Sequence, residues 1–141
     1  MQKNKNKKRN GKTSADKLII KSVLTGSAVG IVSFFALTSI LTLLAYTQDF
    51  EESYYPALIF FAGGFSAFIG GFAAVLPLKH NGLPLGLLSV LPAFFFIVGV
   101  AGIVSKTGIG FLGWIALAIM LTMGALGGII AANKRKKVKI K

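Results

Sequence analysis

Four long apolar stretches limit what this chain can fold into more than any other feature. They occupy residues 18–46, 57–78, 83–104 and 109–132, and after Lys21 no Asp, Glu, Lys, Arg or His interrupts them. A bilayer hydrocarbon core about 30 Å thick needs about 20 apolar residues in a helix. Each stretch meets that length. A helix pairs its own N–H and C=O groups, which lipid cannot do. A closed barrel would need strands of alternating apolar and polar residues, and the chain has no sustained period of two. The expected fold class is therefore all-α, an integral membrane four-helix bundle at 18–132, flanked by basic tails at 1–17 and 133–141.

The punctuation agrees with this division. Pro56 suits the first turn of the second helix, where no hydrogen bond is lost. Pro77 falls near that helix's end, His80-Asn81-Gly82 reads as a turn, and Pro84 can open the third helix. Pro92 is different because it lies inside the third stretch. It removes the bond to the Leu88 carbonyl, so it bends the helix as a static kink or serves as a hinge. The first stretch follows a basic leader, but its apolar run exceeds the 7–15 residues of a signal-peptide core. We read it as a retained helix. The tail before it, rich in Lys and Asn, is expected to be disordered. Short connections predict that helices consecutive in sequence are antiparallel neighbours.

Charge orients the bundle. The chain has sixteen basic residues, four acidic ones and a net charge of +12. With four spans, both tails and the Lys79 loop share one side and hold all the basic residues except Lys106. Asp49, Glu51 and Glu52 lie with Lys106 on the other side. The positive-inside rule then places both termini in the cytoplasm. Lys7, Lys8, Arg9, Lys134, Arg135, Lys136 and Lys137 are the candidates for contact with anionic lipid headgroups, each contributing about 1 kcal/mol near such a surface. The Lys-Asn alternation lacks the aromatic interleaving of RNA-binding motifs, so nucleic acid is not an expected partner.

The spans carry no group suited to chemistry. Ionisable residues inside a membrane mark proton relays and substrate sites, and here there are none. With no cysteine, disulfides and thiolate metal sites are excluded. The single histidine, His80, reads as a solvated loop residue, and the three carboxylates of the first loop as solvated charges before Tyr54 and Tyr55. No catalytic residue, metal or cofactor is expected.

Small residues are spaced more tellingly. Gly26 and Gly30, then Gly63, Ala67 and Gly71, then Gly124 and Gly128, each recur at four-residue intervals. Such a stripe lies on one helix face and lets another backbone approach. These are the helix-packing candidates, and the spacing fits packing within the bundle as well as self-association. Gly82 and Gly86, and Gly99 and Gly102, mark the two ends of the third helix in the same way.

The chain also resembles the YrzE-like small membrane proteins of Gram-positive bacteria, four-span proteins of unknown function. The likeness rests on the basic leader, Gly63-Gly64 through Gly70-Gly71, the basic turn followed by Gly82 and Gly86, and Gly124-Ala125-Leu126-Gly127-Gly128 ahead of Asn133 and the lysine tail. It implies a bacterial plasma membrane and no particular activity.

The function expected from these features is that of a non-catalytic packing or assembly component of the membrane. Its partners would be the bilayer, further copies of itself or other membrane proteins. The alternative is a small oligomeric channel or transporter without an intramembrane carboxylate, with Pro92 as its hinge. Reporter fusions at either terminus should be active only on the cytoplasmic side. An externally active fusion would overturn the orientation.

Overall fold

The computed structural model describes residues 2–48, 51–106, 108 and 110–134, and only the backbone of residues 2–10 and Ser105. It contains helices α1 (Gln2–Gln48), α2 (Tyr55–Val75), α3 (Gly82–Ser105) and α4 (Phe111–Asn133), with a single 3-10 turn at Glu52–Tyr54. Among the described residues, four helices are long and apolar enough to cross a membrane. At 1.5 Å per residue, α2, α3 and α4 each measure about 32–36 Å, close to one hydrocarbon thickness.

α1 corrects one expectation. The basic segment expected to be disordered is helical from Gln2 onward. It contains no proline and one glycine, Gly11. Lysine is a good helix former, and one glycine costs about 1 kcal/mol. A helix nucleated in the apolar stretch therefore propagates outward at one hydrogen bond per residue.

The helix ends follow from local chemistry. Pro56 sits in the first turn of α2. α2 stops at Val75, two residues before Pro77, and the Lys79 N–H closes the turn on the Val75 carbonyl at 2.8 Å. Lys106 does the same for α3, donating to the Gly102 carbonyl at 3.0 Å. Lys79, Asn81 and Lys106 all have positive φ, at 59°, 54° and 53°, whereas no glycine does. Gly82 is thus the first residue of α3 and not the pivot of the turn. α3 continues through Pro92 without a break.

The packing order differs from the sequence order. α2 packs most extensively on α4, then on α1, while α3 packs on α4 and α1. α2 and α3 touch across the middle, and α1 and α4 stand at opposite corners. α2 and α3 are consecutive, yet they share less surface than α2 and α4, which run in the same direction. Small residues on both α2 and α4 explain the preference, because they let the backbones meet.

The bundle is closed at one end and splayed at the other. Buried residues of α2 begin at Ala62 and those of α4 at Met120. α1 buries Ser22, Gly26, Ser27 and Gly30, and α3 buries Gly82 through Phe94 at intervals. The helices alternate in direction, so all these residues lie toward the end that carries Lys21, Lys79 and Lys134. Two apolar clusters fill it, one of Ala67, Val90, Phe94 and Met120, the other of Val75, Leu85 and Ala131. Toward the opposite end, Ala45 alone is buried among the described residues of 31–48, 55–61, 95–104 and 111–119.

Replacing Gly11 by proline should unwind the stretch upstream of it, because the ring removes a helical hydrogen bond and clashes with the preceding turn. Far-UV circular dichroism of the full chain in detergent should lose helical signal. An unchanged spectrum would show that this stretch contributes none.

Candidate functional site: a glycine seam beside an apolar cleft

The glycines hold the closed end together. Between α1 and α2, a Cβ added at Gly26 would lie 2.7 Å from the Gly70 carbonyl oxygen, and one at Gly70 would lie 2.9 Å from that of Gly26. A Cβ at Gly30 would lie 3.6 Å from both the Gly70 Cα and the Ser66 carbonyl oxygen. Between α2 and α4, a Cβ at Gly71 would strike the Gly124 carbonyl oxygen, and one at Gly127 the Phe68 carbonyl oxygen. Between α3 and α4, Gly86 abuts the same Gly124 oxygen, and Gly82 and Gly128 abut each other. Gly124 therefore sits where three helices meet. A Cβ there would collide with the Val90 side chain and lie 3.1 Å from the Gly86 oxygen and 3.5 Å from that of Ala67.

The structure thus places Gly26, Gly30, Ala67, Gly71, Gly124 and Gly128 at backbone contacts inside the chain. Gly63 is looser, with Met120 at 3.6 Å. Gly99 stands in open space at the splayed end and packs against nothing. Gly127 lay outside the four-residue register, although its i+3 spacing from Gly124 puts it on the same face.

Hydroxyl groups are tied to their own helices. Ser66 donates to the Gly63 carbonyl at 2.9 Å, and Ser89 to that of Gly86 at 2.9 Å. Thr25, Thr38, Ser39, Thr42 and Thr122 donate in the same way to carbonyls three or four residues earlier. This back-bonding satisfies each hydroxyl without a partner helix. Among the described residues, the buried polar ones are Ser22, Ser27, Ser66 and Ser89, all serines. Among the described residues no His, Cys, Asp or Glu cluster could hold a metal ion.

The lysine candidates are unevenly placed. Lys134 is exposed, and its Nζ lies 5.7 Å from the centroid of the Phe72 ring. That cation–π contact contributes about 0.5–1 kcal/mol at an exposed site. Lys7, Lys8 and Arg9 belong to α1, but their side chains lie outside the described residues, as do Arg135, Lys136 and Lys137. Pro92 is exposed on α3.

The splayed end leaves a cleft of about 500 Å³ between α1, α2 and α3. Its walls include Phe34, Thr38 and Leu41 of α1, Leu58 of α2, and Ile97 and Ala101 of α3. Tyr55, the first residue of α2, lines it as well. The cleft has no distinctive signature in the sequence, since its lining repeats the composition of any apolar helix.

Fold and interior together define an all-helical, multi-pass membrane protein packed by glycines. The chain matches the family described as Protein of unknown function (DUF3792) over residues 19–131, and it belongs to that family. No curated protein and no solved structure matches it.

Gly71→Ala should destabilise the bundle by about 1–3 kcal/mol, the usual result of overpacking a tight contact. Gly99→Ala should be neutral or stabilising by up to about 1 kcal/mol, because alanine is the better helix former and meets nothing there. Thermal unfolding in detergent distinguishes them, and equal effects would refute the glycine seam.

Proposed function

We propose that the protein is a non-catalytic component of a bacterial plasma membrane that assembles with other membrane proteins or with further copies of itself, holding both termini in the cytoplasm. The carrying observation is the sealed interior. Glycine backbones and apolar side chains fill the closed end, and the buried hydroxyls of Ser27, Ser66 and Ser89 donate to their own helices. What remains for recognition is the outer surface and the splayed end, where Phe61, Phe95 and Trp114 are more than 60% exposed. The likeness to YrzE-like proteins of Gram-positive bacteria supports the bacterial setting, and the uneven basic charge supports the orientation. A channel or transporter has less behind it, because Thr25, Ser27, Thr38, Ser39, Thr42, Ser66, Ser89 and Thr122 all donate to carbonyls of their own helices.

Cross-linking in intact membranes tests this reading. An amine-reactive reagent acting through the exposed lysines should give discrete higher-mass species that contain the protein. If only the monomer is recovered across a range of reagent lengths, the assembly reading fails. Ion or solute flux through liposomes holding the purified protein alone would favour the channel instead.

A further inference from the structure

We propose that the cleft between α1, α2 and α3 binds one acyl chain of a phospholipid from the leaflet at the Tyr55 end. The inference stands on the cleft's dimensions and chemistry. It is independent of whether the protein assembles with others.

Length comes first. The cleft follows α1 from Phe34 to Ala45, about 16 Å of helix axis. One leaflet contributes about 15 Å of the hydrocarbon core. The cleft therefore runs the depth of a single leaflet and ends where the glycine seam closes the bundle. Gly30, where an added Cβ would lie 3.6 Å from the Gly70 Cα, is one helical turn below Phe34.

Volume then selects the occupant. The cleft offers about 500 Å³. It lies within the roughly 300–1,000 Å³ of small-ligand sites, whose walls are likewise mostly apolar. A flexible hydrocarbon chain fits this space, and the lateral opening past Phe35 and Ile59, 47% and 54% exposed, gives it entry from the bilayer.

The mouth suits a phospholipid. Thr38 and Thr42 direct their hydroxyls to α1's own carbonyls, so the inner walls present no competing donor. Tyr55 supplies an amphipathic ring at the mouth, the usual place of tyrosine at a membrane surface. Lys106 is exposed two residues beyond Val104, itself part of the wall. Its ammonium is the cation available there for a lipid phosphate.

The test uses the full chain in phosphatidylglycerol–phosphatidylethanolamine vesicles containing a phospholipid with a diazirine on its acyl chain. After photolysis, mass spectrometry should find the label concentrated on Leu41, Ile97 and Ala101, above its level on Ala118 of α4, which is exposed outside the cleft. Ala101→Phe and Thr42→Phe each fill the cleft from a different wall. Either should lower labelling of Leu41 and Ile97 by about tenfold while leaving Ala118 labelled as before. The unchanged Ala118 signal and an unchanged helical spectrum show that the variant has folded. Equal labelling of cleft and α4 surface, or cleft labelling that survives both variants, would overturn the proposal. So would an efficient intermolecular disulfide between copies carrying Leu41→Cys or Ile97→Cys, in a chain that has no other cysteine, because it would make the occupant protein.

Discussion

The structure depends on backbone-to-backbone contact at Gly124. Its carbonyl oxygen is approached by Gly71 from α2 and Gly86 from α3, and its Cα faces Val90. In water such a junction would be reinforced by burial of apolar surface. In lipid, the surroundings are as apolar as the side chains, so close van der Waals packing must hold helices together. Removing side chains from the contact is how the sequence achieves that. The same logic runs along α1 and α2 through Gly26, Gly30 and Gly70, and it makes α2 the helix on which the others converge.

Confining this packing to one end has a structural consequence. Helices whose backbones nearly touch at one end, and whose side chains are phenylalanine, leucine and tyrosine at the other, must diverge. The splay and the cleft between α1, α2 and α3 therefore follow from where the glycines stop, without any dedicated lining motif. Gly99 marks the contrast, since it has no neighbour and contributes no contact.

The lysines at the helix ends have a local structural role. Lys79 and Lys106 adopt left-handed conformations that close α2 and α3, and Lys134 closes α4 with its N–H on the Ile130 carbonyl at 3.0 Å. A left-handed L-residue costs about 1–2 kcal/mol. A cation at a helix C-terminus offsets about 0.3–1 kcal/mol of that through the helix dipole. Lys106, the one basic residue that departs from the charge asymmetry, thus has a local reason to be where it is.

Sequence by itself determined the number of helices, their class and their approximate ends. Those depend on local quantities: apolar run length against bilayer thickness, backbone groups that must pair within a segment, and prolines that stop or open a helix. It also exposed the small-residue stripes of α1, α2 and α4. Helix continuity into the basic tail was missed, because composition argued for disorder while nothing in the segment breaks a helix. Only the tertiary structure decided which stripe meets which: that α4 lies along α2, that Gly127 joins the seam and Gly99 does not, and that a cleft opens beside Tyr55. A glycine stripe states that some backbone can come close but does not specify the partner. That choice is made by the simultaneous fit of four helices around one small-residue junction.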